Sequence, residues 1–434
     1  MFYKIVVCTD NNYGISKQGR IPWACPADKA WFKKITSTTT TPKKQNAVIM
    51  GNKTYTSLNI PCLANRINIV LSRQKQNDKP NVIFLYSVGE IEDFIAKSDI
   101  EDVYVIGGQQ IYDLFKDKCL YIFHTLLNSS FMCDLFFSQD IFNGHEIIMS
   151  RQLSCDAVLY IYARSFMKTE EMLYQALINR VFENGIQTLE RTGVGTIALF
   201  GETIRFDLHK FPLLTTKQVF FRGVFEELMW FLRGQTDNKI LQDKDVHIWD
   251  HNAYSNNDCG KIYGYQWRNF NSQGIDQLCS LVKNITENNI SEFRRLIISA
   301  WNPAQLKEMC LPPCHILSQW NVRGEYLDTL VFMRSCDIAL GLPFNIASYA
   351  LFNYFIAKIT HKKPGYLVFM IGNAHVYLNH VSALKTQLER APYAFPDLVI
   401  LKDINSVDDM LSLEYTDIHI KGYRAYASIK MEIN

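Results

Sequence analysis

The chain lacks a dominant charge. Its 434 residues hold 45 Lys plus Arg against 43 Asp plus Glu, a formal net of +2. No global field of one sign is available for nucleic acid or an anionic membrane, so any anionic partner must be met by local arginines. The 11 cysteines contain no Cys-x-x-Cys pair, which removes the common zinc spacings and fits mostly buried thiols in a reducing compartment. The opening stretch, MFYKIVVCTD, has one lysine, a short apolar run and an acid at position 10, unlike a signal peptide. There is no internal repeat and no Pro/Gly/Ser-rich linker. Long charge-free runs are scarce: one, residues 338–357, reaches 20 residues, the length of a bilayer span. Gly341, Pro343, Asn345, Ser348 and Asn353 interrupt it. The expectation there is a loop, with Pro343 breaking any helix near its start, that enters a buried helix over 347–359.

What is present is apolar bulk. Hydrophobic residues make up 48% and charged residues 20%, a composition that builds cores, and the length allows two to four domains at about 150 residues each. The first third alternates β-branched runs (4–9, 47–50, 67–71, 82–84, 103–106, 120–124) with amphipathic stretches (28–36, 55–58, 88–96, 109–115). That alternation predicts an open, mostly parallel sheet, closed by a hairpin over 146–153 and 157–165. From about residue 170 the pattern changes. Helical periodicity covers 170–184, 224–233, 277–288 and 347–359, mixed with strands over 196–206 and 295–300.

Four features converge in the first third. Asp28 follows Pro26 in the first turn of a helix, beside Ile21-Pro22-Trp23 and Trp31-Phe32. A helix dipole favours an acid there for ordinary reasons, but a buried acid could also bind an aminopyrimidine edge. Val48-Ile49-Met50-Gly51 runs into Lys53-Thr54, and Ile106-Gly107-Gly108 runs into 109–115. Each is a strand, a glycine and a helix start, the makings of a phosphate cradle, though common in any α/β domain. Arg66 precedes a strand and Ser72-Arg73 ends it. Arg66 could fork onto a carboxylate or be a solvated strand-edge arginine.

In this order the motifs resemble the dihydrofolate reductase family over residues 1–165. The resemblance implies an α/β domain with a mostly parallel eight-stranded sheet flanked by helices and NADPH bound across it. It implies Asp28 on the pterin ring and the proton path, through a water relay and with a raised pKa. It places Phe32 against the folate, Arg66 on the glutamate carboxylate and Thr125 in hydrogen bonding to Asp28. Gly51, Lys53, Thr54, Ser72, Arg73, Gly107 and Gly108 would meet the cofactor. Asn52 stands where the family commonly has arginine, leaving the extra phosphate of NADPH to Lys53 and Arg73. Asn65 stands where glycine is usual, and asparagine tolerates a left-handed backbone.

The second part carries denser signals. Leu311-Pro312-Pro313-Cys314-His315 is followed by Arg334-Ser335-Cys336-Asp337 and by GLPFNIASYA over 341–350. Arg191-Thr192-Gly193, Trp249-Asp250, Tyr263-Gly264-Tyr265-Gln266-Trp267-Arg268 and Arg294-Arg295 come earlier; His375-Val376-Tyr377 and Asn379-His380 come later. An isolated cysteine is usually a buried structural thiol, but a thiolate near cations is a nucleophile. Glu227 lies on an otherwise apolar helical stretch, where an acid is costly unless hydrogen-bonded. Arg294 and Arg295, if on a strand, would point to opposite faces.

These motifs resemble the thymidylate synthase family over residues 169–434. The resemblance implies an α+β domain that dimerises through a sheet, with dUMP as substrate and 5,10-methylenetetrahydrofolate as co-substrate. Cys314 is then the nucleophile, with Arg334 lowering its pKa. Arg191, Arg334, Ser335 and the Arg294–Arg295 pair of a second subunit would bind phosphate. Glu227 and Tyr263 would serve proton relay, Asn345 the uracil edge, and His375 and Tyr377 the ribose hydroxyl. Trp249 and Asp337 would contact the folate. An amide at 345 can donate to and accept from uracil, whereas a carboxylate would favour cytosine. Met333 stands where glutamine is usual.

The expectation is therefore a fused enzyme: a reductase domain over 1–165, a short junction at 166–168 and a synthase domain over 169–434. Its partners are dUMP, folates and NADPH, in a homodimer, with no metal, no membrane and no dedicated nucleic-acid partner. The expected location is the cytoplasm or another reducing intracellular compartment. The alternative is an active synthase joined to a degenerate reductase domain, motivated by Asn52 and Asn65.

Overall fold

The computed structural model describes residues 3–39, 43–74, 76–164, 170–189 and 193–432. The chain divides into two compact units, Met1–Lys168 and Thr169–Asn434. The expected junction, 166–168, lies outside the described residues.

Ala47, Val48, Ile49 and Met50 are all fully buried, so their strand is covered on both faces, as strands of parallel sheets are. The first unit's strands are β1 (Tyr3–Thr9), β2 (Gln45–Gly51), β3 (Arg66–Leu71), β4 (Val82–Leu85), β5 (Ile100–Gly107), β6 (Cys119–Leu127), β7 (His145–Ser154) and β8 (Ala157–Arg164). They form one eight-stranded sheet in the order β4-β3-β2-β5-β1-β6-β8-β7. Every pairing from β4 to β6 is parallel; β8 pairs antiparallel with both β6 and β7. The helices are α1 (Pro26–Ser37), α2 (Asn52–Ser57), α3 (Val88–Ala96) and α4 (Gln109–Phe115). Because β2 and β5 are neighbours, the turns that follow them lie side by side at the carboxyl ends of the strands, where ligands of open α/β sheets bind.

One boundary that bears on the site differs from the sequence reading. Helix α2 begins at Asn52 rather than Tyr55, so Lys53 and Thr54 lie inside its first turn instead of ahead of it. Asn52-Lys53-Thr54 has no apolar residue and gives periodicity nothing to register. Asn65 has φ 60, the left-handed turn expected of it.

The second unit centres on a six-stranded sheet. Its strands are β9 (Ile186–Thr188), β10 (Thr196–Asp207), β11 (Ile297–Ser299), β12 (His315–Arg323), β13 (Tyr326–Asp337) and β14 (Lys363–Tyr377), in the order β9-β10-β14-β13-β12-β11. Only β13–β14 is parallel, and its register sets Ser335 opposite Asn373 and Asp337 opposite His375. The helices that matter are α5 (Glu171–Asn184), α6 (Phe221–Leu232), α7 (Tyr263–Arg268), α8 (Gln277–Thr286) and α9 (Gly341–Ile359). Asp276 caps α8 by accepting the Cys279 N–H.

Two expectations are corrected here. The charge-free segment is helical from Gly341, with Pro343 inside the first turn rather than breaking the helix. First-turn N–H groups have no intrahelical acceptor, so a proline there forfeits no bond. Helix α9 packs on α6, β13 and β14. Leu342, Leu351, Phe352, Phe355 and Ile356 are fully buried, and truncating any one costs roughly 2–5 kcal/mol. Asn353, also buried, donates to the Leu327 carbonyl (2.8 Å) and the Thr329 hydroxyl (2.9 Å), which offsets the desolvation of its NH2 group, while its Oδ1 is buried without a partner among the described residues. No described helix is long and apolar enough to cross a membrane. The second correction concerns Arg294 and Arg295. They occupy an exposed turn before β11, not a strand, so the opposite-face argument does not apply. Arg295 pairs with Glu292 at 3.0 Å.

Candidate active sites in the two units

In the first unit, α1 presents Asp28, Phe32 and Thr36 at four-residue intervals, hence on one face. Asp28 sits in the first turn, half-buried beside Cys8 and Thr125, which are register partners on β1 and β6. Burial raises the Asp28 carboxyl pKa above its ordinary value, while Thr125 and Cys8 act to lower it. The Thr125 hydroxyl is fully buried yet completes no hydrogen bond of ordinary geometry, so the expected bond to Asp28 is not closed. Two turns along, Arg66 is buried, not solvated. It donates to Thr36 Oγ1 at 2.7 Å and to the Ala64 carbonyl at 3.0 Å, and lies 5.8 Å from the Phe32 ring centroid. Burial lowers its pKa. Among the described residues no carboxylate pairs with it. The helix thus separates an acid from a buried guanidinium by eight residues, about 12 Å at 1.5 Å per residue.

The glycine turns adjoin this face. A Cβ on Gly51 would stand 3.1 Å from Ile111, and one on Gly108 3.5 Å from Thr54 Oγ1. Gly107 has φ 109, a conformation open to glycine, and the Gly107–Gly108 peptide is cis. Ser72 is buried and accepts from the Gln74 N–H at 3.2 Å; Gln76 bridges it to Asn52. Lys53 and Arg73 are exposed, and among the described residues neither has an acidic partner. Bare glycine backbone with two uncommitted cations, Lys53 in the first turn of α2 and Arg73 just past β3, fits a phosphate-bearing dinucleotide.

In the second unit, a chain of contacts links four elements. Glu227 on α6 accepts from Trp249 Nε1 at 2.9 Å. The Trp249 ring lies 6.1 Å from Tyr263, which opens α7. The Tyr263 hydroxyl accepts the Cys314 N–H at 2.8 Å. Arg334 Nη2 stands 3.8 Å from Cys314 Sγ, and the same guanidinium donates to the Pro312 and Pro313 carbonyls, both at 2.8 Å. Burial raises the Glu227 pKa to about 7, with the Trp249 bond pulling the other way, and holds the Tyr263 hydroxyl well above its usual range. Trp249 is itself buried, and its N–H is committed, so its first task here is holding Glu227. Ser335 Oγ lies 3.5 Å from His375 Nδ1, and the His375 and Tyr377 rings meet edge-on at 5.3 Å. Asp337 accepts the Ala339 N–H at 2.8 Å. Asn345 is half-buried one turn into α9, and its side chain has no hydrogen-bond partner among the described residues, so the side-chain amide remains available. Arg191 lies outside the described residues. Arg294 and Arg295 are not brought to this cluster by their own chain.

Some residues beside these sites carry no role in the sequence reading. Thr36 orients Arg66, and its spacing from Asp28 and Phe32 is a signal the sequence contains. Cys8 adjoins Asp28 only through strand pairing, which no local pattern discloses. His315 stacks on Tyr263 with centroids 4.0 Å apart and shares a 2.8 Å hydrogen bond with Tyr349. Burial lowers its pKa to about 3, so a neutral ring backs Tyr263. Asn373 Oδ1 lies 3.0 Å from His375 Nδ1 and fixes that ring.

A sheet-bound reductase site and a cysteine-centred synthase site, in that order, define a two-domain folate and nucleotide enzyme. Comparison with known families agrees. The dihydrofolate reductase family model matches residues 2–165 and the thymidylate synthase model residues 172–434. The "Bifunctional dihydrofolate reductase-thymidylate synthase" of Paramecium tetraurelia is 37% identical over 471 residues, covering 99% of this chain and 98% of the relative. That of Zea mays is 38% identical over 508 residues (99% and 96%), and that of Leishmania major 37% over 497 (99% and 95%). The chain belongs to the bifunctional dihydrofolate reductase–thymidylate synthase family.

Proposed function

We propose that the second unit converts dUMP and 5,10-methylenetetrahydrofolate to dTMP and dihydrofolate, and that the first reduces this dihydrofolate with NADPH. The observation that carries the reading is Cys314 held between the Tyr263 hydroxyl and the Arg334 guanidinium. Cys314 adds as thiolate to carbon 6 of the uracil ring, and the nearby guanidinium favours the thiolate. Arg334, Ser335 and Arg191 bind the nucleotide phosphate. Asn345 pairs with the uracil edge, His375 and Tyr377 hold the ribose hydroxyl, and Asp337 meets the folate. Glu227, with its pKa near 7, can both hold and release a proton at working pH. Tyr263 helps take the carbon 5 proton through water. Arg294 and Arg295, exposed in their turn, reach the phosphate of a second copy in a two-fold dimer. Phe200 (86% exposed) and Met370 (43%) on the adjoining strands β10 and β14 support a sheet-to-sheet interface.

In the first unit, Asp28 binds the pterin and organises a water that protonates the ring nitrogen. Phe32 packs on the folate, and Arg66 takes the glutamate carboxylate that no side chain supplies. NADPH, when bound, supplies the hydride. Gly51, Thr54, Ser72, Gly107 and Gly108 would line its path, and Lys53 and Arg73 would meet its phosphates. A reducing intracellular compartment suits eleven cysteines that all stand free.

The test is release of tritium from dUMP labelled at carbon 5, run beside NADPH oxidation with added dihydrofolate. Tritium release without NADPH oxidation would favour the degenerate-reductase reading. Two variants sharpen the synthase assignment. Glu227→Gln should lower turnover about 10²-fold or more. Wild-type kcat/KM should titrate near pH 7 and fall as pH rises through it, since the carboxyl is protonated below that value; the variant should lack this step. Asn345→Asp should lower kcat/KM for dUMP about 10²-fold and raise that for dCMP, read by competing the two nucleotides.

A further inference from the structure

Two cysteines that this chemistry does not use oppose each other across a seam beside the synthase nucleophile. Gly260 and Met309 form an antiparallel bridge. The Cys310 N–H donates to the Cys259 carbonyl and the Lys261 N–H to the Glu308 carbonyl, both at 3.0 Å. Cys259 and Cys310 are therefore directly opposite, one step beyond the bridge. Such residues project to one face with Cα atoms about 5.5 Å apart. That separation is what a disulfide spans. Both thiols are free; Cys259 is fully buried, and Cys310 is half-buried and reachable. The neighbouring Cys310 thiol, together with burial, raises the Cys259 pKa, while the Cys259 thiol lowers that of Cys310. Each cysteine stands four residues before a site residue, Tyr263 or Cys314, and those two are bonded to each other.

We propose that Cys259 and Cys310 are an intramolecular disulfide site, closed by a small-molecule disulfide such as glutathione disulfide and reopened by a dithiol. Cys310 sulfur attacks the glutathione disulfide; a mixed disulfide forms and one glutathione thiolate leaves, taking the Cys310 proton. Cys259 sulfur then attacks the Cys310 sulfur. The second glutathione leaves with the Cys259 proton. Two protein thiols are oxidised and one glutathione disulfide becomes two glutathione thiols. The bond ties the segment leading to Tyr263 to the segment leading to Cys314.

The test is peptide mapping of the full chain after incubation at graded ratios of glutathione disulfide to glutathione, alkylation and trypsin digestion. Cys259 falls in the peptide 245–261, and Cys310 shares 308–323 with Cys314. The expected result is these two peptides cross-linked, with fragmentation before Pro312 placing the bond on Cys310, and loss of the cross-link with dithiothreitol. Cys259→Ser should instead leave a persistent glutathione adduct on Cys310. The inference is overturned if both thiols stay alkylatable where exposed Cys155 and Cys279 are modified. A bond that maps to Cys314, or a wild-type glutathione adduct on Cys310 that never resolves, overturns it equally.

Discussion

Replacing Cys314 by alanine should abolish dTMP formation, a loss of at least about 10⁴-fold, while NADPH oxidation with added dihydrofolate stays within about twofold of wild type. The expectation rests on covalent chemistry having no second nucleophile in reach. The Tyr263 hydroxyl is held protonated by burial, and Cys336 is buried with its pKa raised well above the ordinary thiol value. Serine at 314 should fare little better, because an alkoxide costs far more to form beside one arginine than a thiolate does. The measurement is tritium release and NADPH oxidation on the same preparation. Loss of both signals would contradict two independent sites.

The second large effect belongs to Asp28. Asp28→Asn should lower kcat/KM for dihydrofolate about 10²–10³-fold at neutral pH, with synthase activity untouched. The pH profile carries the mechanistic content. Burial raises the Asp28 carboxyl above its ordinary pKa, so its protonated form survives to higher pH than that of a free aspartate. Wild-type reduction should therefore fall as pH rises through the raised value. Asparagine has no proton to lose, and the variant's residual activity should be flat there. A variant profile that keeps the wild-type slope would assign the titration to another group.

Much of this was legible in the sequence where residues act locally. Buried runs such as Ala47–Met50 and the four-residue spacing of α1 announce their elements through periodicity alone. The hairpin of β7 and β8 is visible because no helix can fit between its runs. What the sequence concealed depends on distant partners. Pro343 argues against a helix by its chemistry, yet it falls in the one turn where that chemistry is harmless. Arg294 and Arg295 look like strand residues because Leu296, Ile297 and Ile298 follow them. Arg66 could be solvated or buried on local grounds, and only β3 pairing in the interior decides. The neighbours of the proposed catalytic groups, Cys8 beside Asp28 and Asn373 beside His375, exist only once strand order and register are set.

The strand order also bears on how the chain is made. In the first unit β1, the earliest strand synthesised, lies between β5 and β6, and the sheet's last strand ends at Arg164. All eight strands are thus contiguous in sequence and are complete before any strand of the second sheet leaves the ribosome. Domains of nascent chains fold as units, the N-terminal one first. In the second unit, by contrast, β10 finds its neighbour β14 only after more than 150 further residues. The reductase core is free to close early, whereas the second unit's sheet waits until β14 has been made.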